Sequence, residues 1–452
     1  MFFAGKYTSL FLPLALACAA SLFAGGCTLL PGRDYDPNYR QPLGPEATAR
    51  PTPEAAAAGI FKPQTAFRPA EPVIPYTLFV KKDNYVPALY EPPEDCYLGA
   101  YILSDKAINY DIAVFEQTTG VKHALYQYHM LLDDPLPANW ILECISKSAV
   151  PYIVLKPRDP AQPFDRAALA AAAERFQAFK IPMFIQFYPV TNKYSAEDYT
   201  AFFKEARALF KVYAPLAAFI WGVDSETVFG CKEYYPGDEY VDWAGIKIYE
   251  PLNSGAYPNV FTALDYFYFQ FQMKKPIIIS ELAVSHFSGT DHAYHTEAAA
   301  REINDMYRRI SEAYPRIKAI IYMDFNGFEV QSGKASRDDF SLTREPAVLD
   351  AYLNAAANGR FCGELAQPEV PAPDAGARTQ LYKSPFTAWR IGGEFYISAQ
   401  SCEADLGVKG LGRYSASVMI DSEAYYSLSA VMPSDGYELQ IDTDNQCIVY
   451  GW

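Results

Sequence analysis

The stretch Lys275-Pro276-Ile277-Ile278-Ile279-Ser280-Glu281 decides the fold of this 452-residue chain. A run of apolar and small residues without polar alternation suits a strand covered on both faces, as in a parallel sheet flanked by helices. Glu281 then stands at the rim of that strand, where a charge meets either solvent or the mouth of a barrel. Outward from this point, the same rhythm of short apolar run and longer helical pattern recurs until eight strands are counted. The predicted strands are Cys96–Ile102, His123–Tyr128, Ala149–Leu155, Pro182–Tyr188, Leu216–Trp221, Trp243–Tyr249, Pro276–Leu282 and Ile317–Phe325. Helices are expected between them. One follows a Ser195 cap and repeats Tyr199, Phe202, Phe203, Ala206 and Phe210 at one-turn spacings. Eight such units imply an α/β fold, a (β/α)8 TIM barrel. An open doubly wound sheet would want a glycine-rich phosphate loop after an early strand, and neither dinucleotide nor P-loop spacing occurs there.

Upstream, Lys6 and the apolar stretch Leu10–Ala20 form a secretory-signal pattern rather than a spanning helix, because small residues follow at once. The stretch ends in Leu22-Phe23-Ala24-Gly25-Gly26-Cys27, which resembles a bacterial lipobox with Ala24 where leucine is usual. Residues 1–26 are thus expected to be removed and Cys27 lipidated, leaving the protein exported to the cell envelope and anchored to a bacterial membrane. Ordinary cleavage with free secretion is the alternative. Residues 27–72, rich in proline and alanine, are expected to form an extended tether. The formal net charge of −15 repels a phosphate backbone and argues against a nucleic-acid partner. Six cysteines lie beyond Cys27, an even number that permits disulfides in an exported chain, with Cys402–Cys447 the preferred pair.

Barrel enzymes carry their chemistry at the C-terminal ends of the strands. Glu281 is the leading catalytic candidate there. Trp221 and Tyr249 end neighbouring strands and are expected to offer a stacking face and a hydroxyl to a sugar, with Tyr188 on the same rim. Asp324, ending the eighth strand, is expected to hold a sugar hydroxyl or to act on Glu281 through like charge. Packing is the alternative for each aromatic residue. His286, His292 and His295 lack the spacing of a zinc site, and no metal or other cofactor is called for.

Two segments resemble glycoside hydrolase family 26, whose members are mostly mannanases. Tyr234–Tyr249 is similar to the family's Tyr-Tyr-Pro-Gly-Asp-x-Tyr-Val-Asp-x-x-Gly-x-x-x-Tyr stretch. Lys275–Glu281 is similar to its Lys-Pro-x-x-x-x-Glu strand. The resemblance implies a β-linked polysaccharide or oligosaccharide as partner and Glu281 as nucleophile. It fails on the fourth strand, where Gln186, Pro189 and Val190 stand at the positions of the family's arginine, histidine and acid/base glutamate. Asp224 and Glu226, past the fifth strand, are the nearest substitute acids. Three readings stay open: a glycan-binding barrel with little turnover, a retaining endo-glycosidase with a relocated acid/base, and an envelope scaffold.

The barrel is assigned residues 73–360, followed by a linker at 361–378 and a small α+β domain at 379–452. In the last, Gly392-Gly393 marks a hairpin, Glu403–Leu411 a short helix, and 413–429 and 437–450 further strands. This segment resembles, more weakly, the small domain named after the amino terminus of copper amine oxidase. It contains no histidine, so the name implies no copper site here.

Overall fold

The computed structural model describes residues 73–158, 165–187, 194–252, 260–330, 338–365, 377–408 and, with short interruptions, 410–451. Cys27, the expected signal and tether, and Tyr188 lie outside them.

The eight barrel strands are Cys96–Ser104, Leu125–Leu131, Val150–Lys156, Met183–Gln186, Ala217–Asp224, Trp243–Leu252, Ile277–Ser288 and Ile317–Phe325. They pair in chain order, all parallel. The eighth pairs with both the seventh, at Ile317↔Ile277, and the first, at Ala319↔Tyr97, so the sheet is closed. The α/β barrel expected from the sequence is therefore present. Alternation divides each strand between two cores. Outward side chains such as Ile153, Ile185, Phe219, Ile246, Ile279 and Ile320 pack under the helices. Inward ones, among them Leu125, Tyr152, Phe184, Ile220, Trp243, Ile278 and Ile321, fill the interior as an apolar floor. The helix Ala196–Tyr213 begins at the Ser195 cap, whose hydroxyl accepts from Asp198 N at 3.0 Å.

The second sheet contains seven strands, and its chain order differs from the sequence reading. Ile74–Tyr85, counted above with the barrel, lies inside this sheet instead, antiparallel to Arg378–Ile391 and parallel to Cys447–Gly451. Its alternating Tyr76, Leu78 and Val80 enter the small domain's core beside Phe395, Ile397, Leu428 and Ile448. Gly392 and Gly393 have φ of 59° and 85°, the positive values that a two-residue hairpin requires. The short helix is Ala399–Ala404, earlier than expected, because Ser398 caps it by accepting from Ser401 N. All six described cysteines are free, so the expected Cys402–Cys447 bridge is not formed. Cys402 is buried in the small domain's core, whereas Cys447 opens a strand near the sheet edge.

The two parts meet at the floor end of the barrel. Arg316, fully buried just before the eighth strand, pairs with Glu91 and donates to Gln380 Oε1 at 2.9 Å and, through Nε, to Gln272 O at 3.0 Å. Its guanidinium also lies 4.2 Å from the Tyr85 ring centroid. Gln272 exchanges two hydrogen bonds with the backbone of Lys383, at 2.6 and 3.0 Å. Removing one partner of a buried ion pair strands the other's charge. Arg316→Met is therefore expected to lose about 3–5 kcal/mol of stability, measured by urea unfolding; a loss below about 1 kcal/mol would place Glu91 in water.

Candidate functional site

At the opposite end of the barrel, the inward side chains change from apolar to polar. Seven such groups gather there: His129, Lys156, Gln186, Asp224, Lys247, Tyr249 and Glu281. The seventh strand slips by one residue relative to the sixth, between the pairs Ile246↔Ile279 and Lys247↔Glu281. This bulge turns Glu281 into the interior, a common use of bulges beside functional sites. On the fifth strand, Gly222 leaves the room that Gln186 occupies, since a Cβ there would lie 2.6 Å from Gln186 Nε2.

Glu281 is 3% exposed and both its oxygens are engaged. Lys247 Nζ lies 2.8 Å from Oε1, and Tyr249 donates its hydroxyl to Oε2 at 2.6 Å. Burial alone would raise the carboxyl's pKa; the ammonium of Lys247 and, from further away, that of Lys156 outweigh it and hold the group down to about 2. Lys247 also lies 3.8 Å from Asp224 Oδ1. One ammonium thus joins two carboxylates, and the two contacts keep the bonded oxygens no more than about 7 Å apart, short of the upper end of the ~5–9.5 Å range of glycosidase pairs. Asp224 is displaced the other way. Burial, followed by the charges of Glu281 and Glu226, raises its carboxyl above the usual range despite Lys247.

A second chain of polar groups approaches from the second and third strands. Lys156 Nζ sits 3.2 Å from His129 Nδ1, His129 Nε2 is 3.0 Å from Gln127 Oε1, and Gln127 Nε2 donates to Ser280 O at 3.0 Å. His129 Nε2 is 3.7 Å from Glu281 Oε1. Burial, and then the charge of Lys156, keep the imidazole well below its ordinary pKa, so it is neutral at pH 7. Lys156 must then donate to Nδ1, which leaves the ring proton on Nε2.

Of the residues singled out in the sequence, the structure brings Glu281, Asp224 and Tyr249 together. Glu226 is exposed beyond Asp224 in the 3-10 segment Ser225–Tyr234. Trp221 is corrected from the mouth to the outer core. It is fully buried beneath a helix, with its ring 5.0 Å from Tyr235 and 5.1 Å from Phe271, and offers no sugar platform. The reason is parity: Asp224 faces inward, so Trp221, three residues earlier on the same strand, faces outward. Asp324 is likewise corrected. It is fully buried between the inward Met323 and Phe325, and its Oδ1 accepts from Leu342 N at 2.8 Å, holding the chain that follows the eighth strand. The aromatic rim is instead supplied by half-exposed Tyr294 and Phe328, which pack edge-on against Phe287, and by the exposed ring of Tyr249.

His129, Lys156 and Lys247 were absent from the sequence reading. The predicted second and third strands stopped at Tyr128 and Leu155, one residue short of His129 and Lys156. Lys247 lay inside the quoted Tyr234–Tyr249 stretch. A lysine two residues from Tyr249 in a fully covered strand was the available signal, since unpaired lysines are almost never buried.

No protein-family model and no curated protein matches the chain. Solved structures similar to it include an endo-β-1,4-mannanase double mutant from Cellulomonas fimi, at 14% identity over 66% of this chain and 82% of that one, with a TM-score of 0.48. Others are a family 26 β-mannanase from Bacteroides ovatus, at 11% identity, 62% and 92% coverage and a TM-score of 0.44, and a family 26 protein from Muricauda sp., at 12%, 61% and 88%, and 0.46.

Because folding lowers the Glu281 pKa, its ionisation contributes stability that is present above its unfolded value of about 4.3 and lost as pH falls toward 2. The stability difference between wild type and Glu281→Gln is expected to shrink by roughly 3 kcal/mol between about pH 5 and pH 2. Urea titrations at constant ionic strength measure it. A difference independent of pH would mean that Lys247 does not hold the carboxylate.

Proposed function

We propose that the polar end of the barrel is the recognition site for a β-linked glycan, with Glu281, Asp224 and Tyr249 meeting sugar hydroxyls and the exposed ring of Tyr249 meeting a sugar face. The observation that carries this reading is the Tyr249–Glu281–Lys247–Asp224 constellation, with its fixed donors and acceptors, beside exposed aromatic rings at the chemistry-bearing end of a closed barrel. Aromatic rings bury the apolar face of a pyranose, and charged acceptors make strong hydrogen bonds to its hydroxyls. Calorimetric titration with β-1,4-linked gluco-, manno- and xylo-oligosaccharides tests the proposal. Tyr249→Ala is expected to weaken binding at least tenfold and Trp221→Phe to leave it unchanged. Equal losses in both variants would sink the reading.

Hydrolysis is a second reading, favoured by one observation: two carboxylates within about 7 Å whose pKa values are displaced in opposite directions. In this scheme ionised Glu281 attacks the anomeric carbon while protonated Asp224 gives its proton to the departing oxygen. Water, deprotonated by Asp224, then releases the sugar from Glu281. Lys247 stands against rapid turnover, because its ammonium occupies Oε1 of the nucleophile and stabilises it before attack. If the pair does cut, Asp224→Asn should slow release of reducing ends from a natural glycan by about 10²–10⁴-fold. It should slow a dinitrophenyl glycoside much less, since that leaving group needs no proton. Equal slowing on both substrates would remove Asp224 as the acid.

The proposal includes export on a lipidated Cys27, motivated by the apolar stretch and the lipobox-like sequence before it. Fatty-acid labelling in a bacterial host should mark the wild-type chain and fail with Cys27→Ser. Equal labelling of the two would refute the anchor.

A further inference from the structure

The third strand ends in Lys156, which acts on Glu281 from a distance and whose own hydrogen bond goes to a neutral group. Its side chain is half-buried and points into the polar end of the barrel. The site's two carboxylates are engaged by Lys247, at 2.8 and 3.8 Å. Among the described residues no carboxylate pairs with Lys156, whose hydrogen-bond partner is Nδ1 of His129 at 3.2 Å. That imidazole is neutral and supplies no counter-charge. It is itself fixed by Gln127, which is fixed in turn by the carbonyl of Ser280, the residue before Glu281. A relay of neutral groups therefore holds a partly desolvated ammonium at a set position beside the proposed sugar site. Burial, followed by repulsion from Lys247, lowers its pKa to about 8 against the more distant attraction of Glu281 and Asp224.

We propose that the glycan bound here is acidic, and that Lys156 receives the C6 carboxylate of a β-linked uronic acid unit. The inference rests on the reading of this end of the barrel as a glycan site and narrows it to a substrate class. A hydroxymethyl group would give the ammonium a neutral acceptor. A carboxylate gives a charge-assisted hydrogen bond, roughly twice as strong. Glu281 does not repel this anion strongly, because Lys247 and Tyr249 already hold its two oxygens. Asp224, on the fifth strand, is engaged by Lys247 at 3.8 Å and acts on Lys156 only from beyond salt-bridge distance.

The test compares trisaccharides that differ only at C6, using calorimetry on the folded full chain at pH 7. β-1,4-Mannotriose is set against its β-1,4-mannuronate counterpart, and cellotriose against the corresponding β-1,4-glucuronate. At least one uronate should bind tenfold or more tightly than its neutral partner, with a preference that falls as salt rises. Lys156→Met should abolish the preference, and Lys156→Arg should keep part of it, which separates loss of charge from loss of fold. Equal or tighter binding of the neutral trisaccharides overturns the inference and leaves the glycan reading standing, as does a preference that survives in Lys156→Met. Binding of none of the four sinks both.

Discussion

Closure of the eight-stranded ladder is the constraint on which the rest of the molecule depends. Once the eighth strand pairs with both the first and the seventh, every second side chain is committed to a narrow interior and every other one to the layer beneath the helices. Near the floor the interior is filled with Phe184, Ile220, Trp243 and Ile278. Nothing polar is needed there, because each backbone group is satisfied by the neighbouring strand. Above it the same alternation delivers Lys156, Asp224 and Lys247, and the bulge on the seventh strand adds Glu281, to one partly buried space. Charges in such a place must compensate one another, and Lys247 between two carboxylates is how this chain does so.

That compensation defines what the site can do. A lone buried glutamate would take up a proton and lose its charge; the adjacent ammonium and the Tyr249 hydroxyl keep Glu281 ionised. The same contacts make it a poorer nucleophile, because an ion-paired carboxylate has already gained much of what attack would give. Asp224, on the other side of Lys247, is less well compensated and holds its proton to higher pH. The two carboxyls are thus displaced in opposite directions across a single lysine. The neutral His129–Gln127 relay positions a second lysine without cancelling its charge.

The second sheet contributes from below. Its contacts with the barrel run through Arg316, Gln272 and the backbone of Lys383, all at the end away from the polar groups. From that end it cannot serve as a lid over the mouth. The segment between the two parts also seals the floor. Tyr90 lies 5.9 Å from Phe184 and donates to Leu216 O, and Trp243 donates to Leu89 O at 2.8 Å. The Ile74–Tyr85 strand ties both ends of the described chain into one sheet, so the barrel is inserted between the first strand of the small domain and the rest of it.

The sequence by itself determined the barrel, since eight apolar runs separated by helical patterns admit few other closures. It also determined Glu281, because a carboxylate ending Ile277-Ile278-Ile279-Ser280 in a covered strand has few places to go. Tyr249 was legible as the end of the sixth strand, and Asp224 as the nearest acid past the fifth. Tertiary structure decided the rest, for two physical reasons. Strand ends are set by pairing with neighbours and not by local composition, and a shift of one residue hid His129 and Lys156 while parity moved Trp221 and Asp324 out of the site. Long-range pairing, which no local window contains, placed Ile74–Tyr85 in the second sheet and Arg316 at its junction. The polar neighbours of Glu281 come from the second and sixth strands, and only closure brings them within reach of one another.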